Sequence, residues 1–99
     1  NGEYQTYYAM YYYSKLIAGL DFESVMRGLD FFEYYLNNAN GEYVSNVALS
    51  GMDRVAAGLN ERLAEGELIE WMPEVEMRIE AISNAYFGFE DFEELEEAE

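Results

Sequence analysis

The chain of 99 residues contains no cysteine and no histidine. Without these side chains there can be no disulfide framework, no Ser–His–Asp triad, no Cys–His pair and no zinc finger. The di-iron sites of helical bundles, in their standard form, also need histidine and are excluded with them. No glycine-rich phosphate-binding motif is present. The sequence therefore predicts a non-enzymatic protein with no cofactor and no metal site.

Basic residues are almost as scarce, with one lysine and four arginines against 21 acidic residues and a net charge of −16. Nucleic-acid phosphates and anionic membrane surfaces repel such a chain, so we expect neither direct nucleic-acid binding nor membrane binding. No apolar run approaches the ~20 residues that cross a bilayer, and no secretory signal pattern is present. Together with the lack of cysteine, these features favour a cytoplasmic location.

The negative charge is concentrated in the second half of the chain. Fifteen acidic residues and three arginines follow Ser50, whereas residues 1–50 carry six acidic and two basic residues. Net charge this far from zero opposes compaction, and a surface selected only for stability mixes both signs. The asymmetry therefore favours a basic partner. A merely solubilising acidic face and adaptation to high salt are the alternatives.

Apolar residues make up 51% of the sequence, enough for one modest core in a single domain over residues 1–99. Apolar side chains recur every three or four residues, which predicts an all-α fold rather than a β-sheet. The expected fold is a small bundle of four to five helices, aromatic-rich over residues 1–43 and acidic over residues 61–99. The predicted helices are Glu3–Leu20, about Phe22–Asn37, Val44–Glu65 and Leu68–Phe87, with Phe89–Glu99 as a last amphipathic segment.

Several residues predict where these helices begin and end. Asp21 can cap the second helix, and Gly66 and Gly88 are plausible stops. Pro73 is tolerated only in a first turn, so a short helical turn over 67–72 is expected before the main part of the fourth helix. The pair Asn40-Gly41 also permits a β-hairpin between residues 31–36 and 42–47, as the second-ranked alternative.

Carboxylates recur at helical spacing in the acidic part of the chain. Glu67, Glu70 and Glu74 lie three and four residues apart, as do Glu76 and Glu80, so helices would make them neighbours on a face. The Lys and Arg side chains with which proteins hold DNA phosphates also accept carboxylates. The predicted partner-binding acidic residues are Glu61, Glu65, Glu67, Glu70, Glu74, Glu76, Glu80, Glu90, Asp91, Glu93, Glu94, Glu96 and Glu97.

Tyrosines are concentrated at the other end, where six of the ten lie within residues 4–13. They surround a helix on all sides, so some must be exposed even if most pack with their rings inward. Exposed tyrosines are favoured anchors at interfaces, and we predict Tyr8, Tyr12 and Tyr35 as a weaker aromatic set. Trp71 is expected to lie in the core or to plug a helix junction.

A small acidic helical chain with a glutamate-rich tail resembles the phage-encoded inhibitors that imitate DNA, including antirestriction and anti-CRISPR proteins. The resemblance is one of class, is carried by Glu61–Glu80 and Glu90–Glu99, and involves no diagnostic motif. It implies an inhibitor in the host-cell cytoplasm that occupies the basic nucleic-acid channel of a CRISPR effector or restriction enzyme. The aromatic N-terminal half departs from the most uniformly acidic mimics. The competing interpretation is a structural or adaptor module that forms a homodimer through its tyrosine-rich helix.

Overall fold

The computed structural model describes residues 2–38 and 41–88, and within them it contains four helices and no strand. The all-α prediction is therefore confirmed. The alternative hairpin is wrong, because residues 31–36 and 42–47 lie inside helices. The predicted fifth segment falls outside the described residues. The helices are α1 (Gly2–Ala18), α2 (Phe22–Asn37), α3 (Glu42–Ala64) and α4 (Met72–Phe87).

Local sequence signals determine most of the helix ends. The Asp21 carboxylate accepts a hydrogen bond from the Ser24 N–H at 3.0 Å and caps α2, as predicted. Gly66, with φ 102°, follows α3, and Gly88, with φ 76°, ends α4 in the left-handed conformation that glycine adopts easily. Pro73 lies in the first turn of α4. These helices therefore begin or end at positions where the sequence favours a break.

The connection between α3 and α4 differs from the predicted helical turn over residues 67–72. Residues 67–69 have no regular structure, and only residues 70–71 form a turn. In that turn the Met72 N–H donates to the Ile69 carbonyl at 3.1 Å. The left-handed Gly66 turns the chain away from the α3 axis, so no helix continues through the connection.

Helices α2 and α3 form the centre of the fold, and α1 and α4 pack around them. Each central helix contacts all three others, while α1 and α4 make no contact with each other in the described residues. This arrangement gives one core and leaves the outer faces of α1 and α4 to carry separate surfaces. The fully buried core side chains are Val25, Leu29, Phe32, Ala48, Met52, Val55, Leu59 and Val75.

Two glycines inside α3 allow its neighbours to approach closely. A Cβ at Gly51 would lie 2.5 Å from the Phe32 ring, and one at Gly58 would lie 2.6 Å from the Ala18 Cβ. This close approach offsets the roughly 0.5–1 kcal/mol that a glycine costs inside a helix. Gly58 also brings the end of α1 against α3, where several basic side chains gather.

Candidate functional site

Arg62 is the most extensively bonded cation of the described structure. Its Nη1 donates to the carbonyls of Ala18 at 2.8 Å and Leu20 at 2.9 Å, at the C-terminal end of α1. Its Nε and Nη2 donate to the two carboxylate oxygens of Glu67, and its guanidinium lies 5.9 Å from the centre of the Trp71 ring. These hydrogen bonds hold the pKa of Glu67 below its ordinary value of 4.5. Arg62 therefore links α1, α3 and the connection to α4.

Trp71 occupies the junction predicted for it. Its ring packs against Phe22 with the centroids 5.6 Å apart, at the start of α2, while Arg62 lies over it from α3. The residue is half-buried and directly precedes α4. It thus plugs the point where α2, α3 and α4 meet.

Arg78 makes the corresponding link between α4 and α2. Its Nη2 donates to the carboxylates of Asp30 at 2.8 Å and Glu33 at 2.6 Å. The two carboxylates raise the pKa of the guanidinium, so it stays charged at any working pH. The acidic residues on this side of α2 therefore have an intramolecular role.

The other three cations are also directed to the protein's own groups. Arg54 lies over the Tyr11 ring with its guanidinium carbon 4.3 Å from the centroid, and the Lys15 Nζ lies 5.5 Å from the same centroid. Arg27 faces Glu23 one turn away, at 3.8 Å on an exposed surface. All five basic residues thus have an internal partner.

Eight exposed carboxylates, by contrast, form neither an ion pair nor a hydrogen bond in the part of the chain that the structure describes, whereas exposed Asp21, which also lacks an ion pair, caps α2. Six of the eight lie between residues 61 and 80. Glu76 and Glu80 are one turn apart on α4, where like charges repel by a few tenths of a kcal/mol. The eight unpaired residues are Glu42, Asp53, Glu61, Glu65, Glu70, Glu74, Glu76 and Glu80.

The predicted helical row of Glu67, Glu70 and Glu74 is not formed. Glu67 lies in the non-helical connection, where its carboxylate is held by Arg62, so the prediction that it neighbours Glu70 and Glu74 on a helix face is wrong. Glu70 lies in the turn before α4, and Glu74 lies in its first turn. The break at Gly66 and the helix start set by Pro73 are the physical reason. Glu90, Asp91, Glu93, Glu94, Glu96 and Glu97 lie outside the described residues.

The tyrosines of α1 divide between the two sides of the helix. Tyr8 and Tyr12 are 42% and 63% exposed and stack on each other with ring centroids 6.3 Å apart. Leu16, one turn further, is 61% exposed and extends the same face. Tyr35 is half-buried against Phe31, on α2. Two of the three predicted aromatic residues therefore share one exposed face, and the third lies apart from it.

Sequence reasoning missed the internal partners of the arginines. Asp30 and Glu33 recur three residues apart on α2, a weak signal that they share a face, but nothing in the sequence pairs them with Arg78. Nothing in the sequence connects Tyr11 with Lys15 and Arg54, the two cations that lie over its ring. These contacts join distant parts of the chain and so depend on the packing of the helices.

Comparisons with protein-family models, with curated proteins and with solved structures gave no match. Among the described residues, no group of three or more acidic side chains is arranged to hold a metal ion. None of the four described helices is both long and apolar enough to cross a bilayer. The surfaces of the chain itself are therefore the basis for a functional assignment.

Proposed function

We propose that this protein is a non-enzymatic inhibitor that binds the basic nucleic-acid-binding surface of another protein by imitating DNA. The single observation that supports it is the unequal use of charge. All five cations have partners inside the protein, while eight exposed carboxylates have none among the described residues. These carboxylates do not stabilise the fold through ion pairs, yet they remain available to the Lys and Arg side chains of a partner.

The position of the unpaired carboxylates supports the same proposal. Glu70, Glu74, Glu76 and Glu80 all belong to the turn before α4 or to α4 itself, a helix that contacts α2 and α3 but not α1 among the described residues. A nucleic-acid channel presents many cations along a path, so a surface with several spaced carboxylates fits it better than one isolated acid. A CRISPR effector or a restriction enzyme is the class of target that the resemblance implies.

A matched pair of charge-reversed variants tests the proposal. The double variant Glu74→Lys/Glu80→Lys changes two carboxylates of the α4 surface. The variant Glu42→Lys/Asp53→Lys makes the same change in net charge at two other unpaired carboxylates. Both proteins would be immobilised and exposed to a bacterial lysate, and the captured nucleic-acid-binding proteins would be quantified by mass spectrometry. Elution with duplex DNA and with salt would test whether the contacts are those normally made with phosphates.

We expect wild type to capture such a protein, duplex DNA to displace it, and the α4 variant to lose at least about tenfold in affinity. The control variant should bind within about threefold of wild type, since its net charge matches that of the α4 variant. Equal binding by the α4 variant and wild type would exclude the proposal. An equal loss of affinity in both variants would mean that the protein binds its partner only through non-specific attraction by net charge.

A second candidate function is an adaptor that forms a homodimer through α1. The observation that favours it is the exposed face of Tyr8, Tyr12 and Leu16 on a helix that has no acidic residue between positions 4 and 20. Two copies of a chain with a charge of −16 repel each other, and this face is where that repulsion is weakest. Stacked tyrosines also supply the rigid, partly apolar area that interfaces favour.

Light scattering at several protein concentrations separates this candidate from the first. A dimer through α1 would double the mass at high concentration, and Tyr12→Ser would restore the monomer. Tyr34→Ser is the control, because Tyr34 on α2 is 67% exposed and Tyr12 is 63% exposed. A monomeric wild type at every concentration would exclude the dimer and leave the acidic surface as the basis for function.

A further inference from the structure

A groove between α1 and α3 collects three of the five basic residues of this acidic protein. Lys15 lines it from α1, and Arg54 and Arg62 line it from α3, around a volume of about 390 Å³. The groove is open because small residues, among them Gly19 and Gly58, form part of its wall. Three of the five basic side chains are thus gathered in one groove.

Two of these cations have no carboxylate partner. Lys15 and Arg54 form no ion pair within 4.0 Å in the described structure, although the chain has 21 acidic residues. Both lie on the Tyr11 ring, at 5.5 and 4.3 Å from its centroid, so their charges are less than about 10 Å apart. Like charges at this separation repel each other, and an anion between them would relieve that repulsion. Glu61 also lines the groove but pairs with neither cation.

We propose that this groove binds a small phosphate monoester. The two cations that lack a carboxylate partner match the charge of about −1.5 to −2 that such an ester carries at pH 7, whereas a carboxylate carries only one charge. Arg54 offers a planar fork of donors and Lys15 a flexible point charge, a combination suited to several phosphate oxygens. Arg62 also lines the groove, but its guanidinium is already bonded to Glu67. The groove volume lies within the range of about 300–1,000 Å³ that is usual for small-molecule sites.

The remaining polar group of the groove indicates what the ester carries. The Glu61 carboxylate is exposed and unpaired, so it can accept a hydrogen bond from a hydroxyl group on the organic part of the ligand. A hydroxylated ester such as glycerol 3-phosphate therefore satisfies the cations and the carboxylate at once. Inorganic phosphate satisfies only the cations.

An NMR titration with glycerol 3-phosphate tests the site on the intact protein. It would be run in about 0.15 M NaCl, where the Debye length of ~8 Å screens the long-range repulsion by the net charge. Gly19 and Gly58 line the groove, whereas Gly41 and Gly66 do not, so the backbone amide signals of the first pair report on the site. We expect saturable shifts of the first pair, with a dissociation constant of about 1 mM or tighter, and no shift of the second pair. Absence of saturable shifts at Gly19 and Gly58 would overturn the proposal.

Matched variants show whether the groove, rather than net charge, is responsible. Arg54→Gln and Lys15→Gln should each raise the dissociation constant at least about tenfold. Arg27→Gln removes the same charge from α2, outside the groove, and should leave the constant within about twofold. Equal weakening by Arg27→Gln would overturn the assignment. If Arg54→Gln disturbs the ligand-free spectrum, Lys15→Gln decides alone, because Lys15 is exposed.

Two further ligands test the chemical class. Sodium acetate carries one carboxylate and should bind at least about tenfold more weakly than glycerol 3-phosphate, because its charge is half as large. Acetate binding of equal strength would overturn the choice of a phosphate. Inorganic phosphate should bind more weakly than the ester in wild type and equally in Glu61→Ala, which removes the acceptor for the hydroxyl group. If Glu61→Ala does not change the preference for the ester, the proposed hydroxyl contact is wrong.

Discussion

The outer face of α1 and the glutamates of the segment from Glu61 to Glu80 are both exposed to solvent, yet the two surfaces are built from opposite kinds of residue. The α1 face has two tyrosines and a leucine and no acidic residue between positions 4 and 20. The acidic segment has seven glutamates, and its two arginines, Arg62 and Arg78, both bond to groups of the protein itself. Six of the seven glutamates in the acidic segment form no ion pair among the described residues, so their charge does not stabilise the fold by ion pairing.

Arg62 is where these two regions meet, and its replacement should have the largest effect on stability. Its side chain is only 21% exposed and bonds to two carbonyls at the end of α1 and to Glu67 in the acidic segment. We expect Arg62→Ala to lower the free energy of unfolding by about 2–3 kcal/mol, because two hydrogen-bonded carbonyls and a carboxylate lose their partner. Thermal and urea unfolding would measure the change.

Arg62→Lys is the control for this prediction. Lysine keeps the positive charge but lacks the planar fork that reaches two carbonyls and both oxygens of Glu67 at once. It should recover less than half of the lost stability. Full recovery by lysine would mean that charge alone matters, and that the hydrogen bonds to Ala18 and Leu20 do not join the two regions.

Glu67 should behave differently from every unpaired carboxylate of its own segment. Glu67→Gln is expected to lower the melting temperature at pH 7, since Arg62 loses its charged partner. Glu70→Gln, three residues away, is expected to raise it slightly, because it removes one unpaired negative charge. Differential scanning calorimetry of the two variants would measure both shifts. If the melting temperature falls equally in the two variants, the ion pair between Glu67 and Arg62 does not stabilise the fold.

The pH dependence of Glu67→Gln follows from the lowered pKa of Glu67. A carboxylate whose pKa is lower in the folded protein stabilises the fold above its ordinary value, and this stability is lost as the pH falls through the folded value. The difference between wild type and Glu67→Gln should therefore be constant at neutral pH and shrink below about pH 4.5. A difference that persists at pH 2 would contradict the ion pair as its source.

The sequence predicts those parts of the structure that depend on neighbouring residues. The cap at Asp21 and the stops at Gly66 and Gly88 were predicted, because each follows from local backbone chemistry. The contacts of the arginines could not be predicted from the sequence. Arg78 bonds to residues 45 and 48 positions away, and with 21 acidic residues almost any pairing is possible before the helices pack.

For the same reason, the sequence overstated the acidic row of the candidate site. Spacing alone made Glu67, Glu70 and Glu74 equivalent, and only the packed structure separates the one that pairs with Arg62 from the two that pair with nothing. The tyrosines show the same limit. Their spacing places Tyr8 and Tyr12 on one face, but only packing decides that this face is exposed and that Tyr11 lies beneath two cations.

The smallest expected effect concerns Glu80, and it sharpens the comparison between the two regions most directly. Glu76 and Glu80 are one turn apart on α4, so Glu80→Lys replaces a repelling pair by an attracting one in the favourable orientation, with glutamate first. The free energy of unfolding should rise by about 0.4–1 kcal/mol in low salt, and Glu80→Gln should give roughly half of that gain. The gain should largely disappear in about 1 M NaCl, where the charges are screened. If Glu80→Lys instead lowers stability, the carboxylate has a structural role. If it raises stability while target binding weakens, Glu80 is better explained by recognition than by folding.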